Sequence, residues 1–580
     1  MKILRTNLFA NAAWRRFALL VCLLLPTTLF GDSVINSVHN LSVSGPGTVK
    51  ASSQTAVCVF CHTVHRGTGQ TPLWSHSMSG VTNYIVYSSP TLKAVVGQPN
   101  GSSRLCLSCH DGTVALGSVN DFTSPIQMQN GVTAMPAGSA NLGTDLSGDH
   151  PISFVYNDAL VAQDPTLNNP VTLIGPVKLD SSGQVQCDSC HDPHNDQYGN
   201  FLVMDNTGSA LCLTCHNNPT WPTSAHAASS RVLTPAVAVQ LATAQPAMRK
   251  NVPATSHTVA SMACESCHVS HRAGGRQSLL KFEKQEQNCL VCHDGQMSAK
   301  NVAADFQKFS VHPIMWSNDA HNPAEDPINP PVRHVTCADC HDPHAANMTK
   351  ALAPNASGAL AGVVGVSASG AVVKPIRYEY ELCFRCHADS LARGPATVTR
   401  QFIQTNTRLQ FFTANQSFHP VVSQGKNLNV PSLIAPWLTT SIIACTDCHN
   451  SDQSPNAGGV GANGPHGSIF APILERNLNT ADFQIESPVA YDLCYKCHSR
   501  ESILANQSFK FHSSHIVNDQ TACTTCHDSH GVQQAPHLIN FNVTYVTPST
   551  SGRIQYQSTG MFHGNCTLMC HGKDHENTPY

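Results

Sequence analysis

Twelve times along its 580 residues the chain sets two cysteines and a histidine in a fixed order. The stretch Cys187-Asp188-Ser189-Cys190-His191-Asp192-Pro193-His194, followed by Cys212-Leu213-Thr214-Cys215-His216, gives the pattern. A Cys-x-x-Cys-His unit is the attachment signature of a c-type haem. Its two thiols add across the vinyl groups of one macrocycle. The His falls about one turn from the first thioether, where it binds the iron on one face. The first six units are Cys58/Cys61/His62, Cys106/Cys109/His110, Cys187/Cys190/His191, Cys212/Cys215/His216, Cys264/Cys267/His268 and Cys289/Cys292/His293. The next five are Cys337/Cys340/His341, Cys383/Cys386/His387, Cys445/Cys448/His449, Cys494/Cys497/His498 and Cys523/Cys526/His527. The twelfth, Cys566-Thr567-Leu568-Met569-Cys570-His571, is stretched by one residue and reads as a tolerated insertion or a tuned terminal haem. Together they use 24 of the 25 cysteines, Cys22 being the exception.

Paired cysteines about 25 residues apart would also suit tetrahedral zinc, and an exported Cys-rich chain would also suit disulfides. Neither requires a His after the second Cys in all twelve units, whereas haem attachment does. Composition points the same way. Charged residues make up 12% and aromatics 6%, with 37 Gly and 36 Pro. A protein-only core would be thin, and macrocycles would fill it. The expected fold is mostly irregular with short α-helices, stacked haems forming the core in six two-haem modules. Ser, Thr, Asn, Gly and Pro clusters between units read as loops.

The units alternate in type, an internal repeat. Odd-numbered units mostly end in His-x-x-His, which adds His65, His194, His271, His344 and His530. The ninth reads His449-Asn450-Ser451-Asp452 instead, with Pro465-His466-Gly467 further on. A His three residues after an attachment His cannot easily reach round its own macrocycle, so it serves a neighbouring haem and draws two haems together. A further His precedes each pair: His39, His150, His312 and His419, then His226 or His257 for the third pair and His512 or His515 for the sixth. Twelve distal ligands are expected: His39, His65, His150, His194, His257, His271, His312, His344, His419, His466, His512 and His530. His563 and His575 stand in reserve near the last unit. His76 and His321 read as surface or loop residues. Two His ligands saturate an iron, which then moves electrons and does little else.

Residues 1–31 read as an export signal. Lys2, Arg5, Arg15 and Arg16 precede an apolar run from Phe17 to Phe30, shorter than the ~20 residues needed to span a bilayer. Removing it leaves 29 basic against 36 acidic residues, a net charge of −7, and each haem adds two propionates. Nucleic acid is therefore not an expected partner. No later segment is long and apolar enough to make an integral membrane protein. Three regions are expected: 32–225 with haems 1–4, 226–435 with haems 5–8, and 436–580 with haems 9–12.

These residues resemble the doubled Cys-x-x-Cys-His multihaem cytochromes, a bacterial family abundant in metal-reducing species. The most specific stretches are Cys106-Leu-Ser-Cys-His-Asp-Gly-Thr-Val-Ala115, Asp149-His-Pro-Ile-Ser-Phe154 and the three Cys-x-x-Cys-His-Asp-[Pro/Ser]-His blocks. The resemblance implies covalent haem c, mostly His/His ligation, and closely stacked haems. It also implies periplasmic, outer-membrane-associated or extracellular electron transfer. The expectation is a dodecahaem conduit in respiratory or extracellular electron transfer, as in metal reduction. Its partners would be other cytochromes, metal oxides or an outer-membrane porin complex, or further copies in a homopolymer. The alternative is a multihaem reductase of a small nitrogen or sulfur oxyanion.

Overall fold

Regular structure in this protein gathers at the attachment units. The computed structural model describes residues 33–67, 73–173, 175–244, 257–314, 321–332, 334–391 and 398–580. The expected export signal, with Cys22, lies outside them. The described residues form two units. The first draws on 33–87 and 93–216, and the second on 88–92, 217–246 and 253–580.

Odd-numbered attachment units open a turn. Cys187–Cys190, Cys337–Cys340 and Cys523–Cys526 are single α-turns, and Cys58–Phe60, Ala263–Ser266 and Cys445–Asp447 are 3₁₀ turns. In several of them the chain arrives extended, and a short polar side chain inside the turn accepts the N–H just before it. Ser189 does this for Gln186 at 3.0 Å, and Asp339 for Thr336 at 2.8 Å. Such side chains favour helix starts because they satisfy orphan donors. Even-numbered units from the second to the tenth instead lie at a helix end. They close α1 (Gly101–His110), α3 (Glu379–His387) and the shorter Ala210–Cys215, with Gln285–Leu290 and Asp492–Tyr495 alike. Helix α2 (Pro235–Ala244) carries no attachment unit. In nine units the attachment His N–H donates to the first cysteine's carbonyl at 2.8–3.0 Å. This i→i−4 bond is what sets the His one turn from the first thiol.

Strands are short and local. Two antiparallel pairs of two residues bring distant histidines side by side. Val311 pairs with Gly467, next to His312 and His466. Phe418 pairs with Gly531, next to His419 and His530. Both glycines are needed for close approach: a Cβ on Gly467 would lie 2.0 Å from the Asp305 carbonyl oxygen, and one on Gly531 2.1 Å from that of Gln410. The longer strands are C-terminal. Strands β1 (Val546–Thr547), β2 (Gln555–Gly560), β3 (His563–Cys570) and β4 (Lys573–Pro579) form an antiparallel sheet in which β3 pairs with all three others.

Apolar packing among the described residues is broken into small clusters. One joins Val366, Tyr380, Phe384, Phe411 and Phe418 against Cys445. Another joins Ala51, Phe60, Leu116 and Met128 against Cys61 and Cys109. A third joins Phe541, Val546 and Leu568 against Cys526, Cys566 and Cys570. Attachment cysteines sit at the edges of these clusters, so the apolar groups surround the haem sites rather than a core of their own.

Candidate haem sites

Among the described residues no disulfide joins the attachment cysteines. Consecutive units meet through their sulfurs. Within pairs the second cysteines adjoin: Cys61 raises the pKa of Cys109, Cys215 that of Cys190, and Cys386 that of Cys340, in each case after burial. Between pairs the first cysteines adjoin. The Cys106 thiol hydrogen-bonds with Cys187, Cys289 with Cys337, Cys383 with Cys445 and Cys494 with Cys523. The attachment sites therefore follow one another in space, in sequence order, within each unit.

Opposite the attachment histidines stand other histidines at a nearly constant separation. Ring centroids are 6.1 Å apart for His62/His194, His110/His39 and His216/His150. In the second unit His268/His344 and His341/His466 are also at 6.1 Å. His293/His226 and His449/His530 are at 6.2 Å, and His387/His312 at 6.3 Å. His419 and His512 lie near enough to His498 and His527 to depress their partners or be depressed by them. Two iron–nitrogen bonds of about 2.0 Å, plus about 1.1 Å from each nitrogen to its ring centre, put the centroids of an axial pair about 6.2 Å apart.

The far side of many of these rings is tethered. Nδ1 donates to a backbone carbonyl in His39 (Pro193), His110 (Ala140), His150 (Pro151), His191 (Asn200), His226 (Pro343) and His268 (Ser278), at 2.7–3.1 Å. The same holds for His312 (Pro465), His341 (Ala359), His449 (Pro472) and His527 (His537) at 2.7–3.0 Å, and for His419 with Ser529. A carbonyl can only accept, so the proton is on Nδ1 and the Nε2 lone pair faces inward. That is the second-sphere arrangement that orients a histidine ligand. Burial lowers the pKa of His39, His312, His341, His419 and His449. The His498, His527 and His530 pKa values fall to about 4, and that of His466 to about 3, through desolvation and then neighbouring histidines.

Some positions differ from expectation. His226, the alternative to His257 for the third pair, is the ring opposite His293; its tether to Pro343 spans 117 residues of sequence. His257 is buried in the second unit. His271 follows His268, whose facing ring is His344. Among the described residues His65 has no ring partner, and His62 faces His194 instead. His76 is not a surface residue. It is fully buried, with both ring nitrogens close to carbonyls, Ser77 at 2.9 Å and Ala115 at 3.2 Å.

The twelfth unit departs most. Cys566 and Cys570 lie on extended β3, and His571 and Gly572 form the two-residue turn to β4 with φ of 50° and 74°. Two successive positive φ values are what a tight hairpin turn needs. His571 Nε2 meets the buried Asp482 carboxylate at 2.7 Å. His575, opposite Leu568 on the face shared with Cys566 and Cys570, stands 6.4 Å from His515. The His515 Nδ1–H donates to the Phe511 carbonyl at 2.8 Å.

Paired thiols, facing imidazoles and a sparse apolar interior are what a multihaem c-type cytochrome needs, and two stretches of the chain match families of that kind. Residues 180–220 match the doubled CXXCH motif family, and residues 256–419 match the family described as outer membrane cytochrome MtrC/MtrF-like, domains II/IV. A 176-residue stretch, 27% of this chain, is 26% identical to the multiheme cytochrome MtrA of Shewanella baltica (strain OS185). The match spans 42% of that relative's length. Among the described residues no helix is long and apolar enough to cross a membrane.

Proposed function

We propose that the chain carries twelve haems c, each iron held between two histidines, and passes electrons along them in sequence order within each unit. The observation that carries this reading is the set of facing imidazoles at 6.1–6.3 Å, with at least one ring tied through Nδ1 to a backbone carbonyl in seven of the eight pairs. The pairs obey a simple rule. In an odd-numbered unit the iron takes its second ligand from the next odd-numbered unit, as His62 takes His194, His268 takes His344 and His449 takes His530. In an even-numbered unit it takes the histidine upstream of its own pair, as His110 takes His39 and His387 takes His312. His466 stands in for the His missing after His449, and serves His341. Each such ligand binds one haem from the chain segment that carries another, which holds successive macrocycles close.

The protein is read as exported, and as periplasmic, outer-membrane-associated or extracellular. Other cytochromes are its proposed partners, in an outer-membrane complex that serves a terminal acceptor such as a metal oxide. Kinship with an outer membrane cytochrome family supports this reading. A pyridine haemochrome assay on the mature protein should return about twelve haems per chain; four or fewer would end the proposal. The twelfth unit gives a second reading a foothold. An iron left with one histidine has an open position, as a reductase of a nitrogen or sulfur oxyanion needs. A high-spin haem in the resting protein together with turnover would support it, and wholly low-spin spectra without turnover would remove it.

A further inference from the structure

His321 and His334, which lie between His312 and Cys337, take no part in the ligand rule. They meet Glu325 and Asp339 in a compact group. His321 Nδ1 lies 2.9 Å from Asp339 Oδ1 and 3.8 Å from Glu325 Oε1. His334 Nε2 lies 3.1 Å from Glu325 Oε1 and 3.6 Å from Asp339 Oδ1. Nitrogen and oxygen alternate around this ring of four atoms. A tetrahedral ion with bonds of about 2.0–2.1 Å has ligand–ligand edges of about 3.3–3.4 Å, and the four observed edges scatter about that value.

The protonation pattern is a second observation. His334 Nδ1–H donates to the Val332 carbonyl at 2.9 Å. In that tautomer the Nε2 lone pair faces the inward oxygens of Glu325 and Asp339, at 3.1 and 3.6 Å, a repulsive placement unless a cation lies between them. A cation at the centre resolves that conflict. Asp339 is set for the task, because its Oδ2 accepts from the Thr336 N–H at 2.8 Å and hydroxyl at 3.0 Å, leaving Oδ1 turned inward. Arg385 Nη2 donates to the same inward oxygens, at 2.9 Å to Asp339 and 3.2 Å to Glu325. A carboxylate oxygen has a second lone pair for a metal, and the guanidinium offsets part of the carboxylate charge. The four side chains are between 5% and 17% exposed, as in a closed structural site.

The geometry points to a tetrahedral site for a divalent transition metal of the zinc type, formed by His321, Glu325, His334 and Asp339. Imidazole and carboxylate ligands suit such an ion. Asp339 lies between Cys337 and Cys340, and Arg385 between Cys383 and Cys386. The ion would pin the 321–334 segment to two attachment turns and place a fixed positive charge beside the seventh and eighth haems.

The test uses the full-length, haem-loaded protein, dialysed against a chelator and titrated with Zn²⁺ against a chromophoric competitor. One Zn²⁺ should bind per chain. X-ray absorption at the zinc edge, where haem iron does not interfere, should report two nitrogens and two oxygens at about 2.0 Å. His334→Gln and His321→Gln should each weaken binding at least tenfold with haem content unchanged. Absence of a stoichiometric zinc, a different donor set at the edge, or binding unchanged in both variants would overturn the site and leave an Arg385-centred ion-pair cluster. Should the variants fail to accumulate, the wild-type titration and absorption spectrum decide alone.

Discussion

Replacing His515 by Ala in the haem-loaded protein probes the arrangement at the C-terminal sheet. His515 and His575 are 6.4 Å apart, close to the roughly 6.2 Å of an axial pair, and His515 Nδ1 is already committed to the Phe511 carbonyl. The attachment residue His571 is engaged elsewhere, on Asp482. Loss of His515 should therefore strip one ligand from one haem of twelve, turning about one-twelfth of the low-spin signal high-spin. His571→Ala should leave the spin state alone. Its effect is structural, because Asp482 Oδ2 loses its partner in a fully buried position, at a cost of about 1–3 kcal/mol and a lower thermal midpoint. Low-temperature EPR, integrated per iron, measures the first effect and calorimetry the second. A high-spin haem in His571→Ala and none in His515→Ala would refute the reasoning, and His571 would then bind iron as the attachment histidines of the other units are proposed to do.

Three further outcomes are expected. His226→Ala should convert one haem to high spin, whereas His65→Ala should not, and optical spectra of the oxidised proteins distinguish them. Phe384, 1% exposed beside Cys383, should cost about 3–5 kcal/mol on truncation to Ala, read from chemical denaturation with haem content checked. In the metal-free protein burial alone would raise the Asp339 carboxyl, but the His321 hydrogen bond and the Arg385 charge outweigh it and hold the pKa at about 2, below its ordinary 3.8. Its share of stability, about 2 kcal/mol, is complete above the ordinary value and disappears as pH falls toward 2. Asp339→Asn should therefore flatten the acid limb of the stability profile between pH 4 and 2.

Covalent chemistry made the attachment units legible. Two sulfurs and an imidazole must meet one macrocycle, so their order and spacing survive any change in the loops. The same constraint foretold turns at the motifs, seen at Cys187–Cys190 and at the end of α1. Ligand choice was less legible, because distant backbone decides it. His226 and His257 lie in similar Pro-, Ala- and Ser-rich sequence without periodicity, and the Pro343 carbonyl orients the first of them. His76 carries no sequence mark of its two carbonyl partners. The C-terminal hairpin did leave a trace: Gly572 directly follows His571, and the β-branched Thr567 sits in the stretched motif. Read only as a haem signature, that unit hides the extended backbone that its spacing permits.

The back-to-back cysteines have a consequence for how such a chain changes length. Where each link touches chiefly the links before and after it, a pair of units can be duplicated or deleted without redrawing the remainder, much as beads are added to a string. The length of the haem row then becomes a matter of gene length.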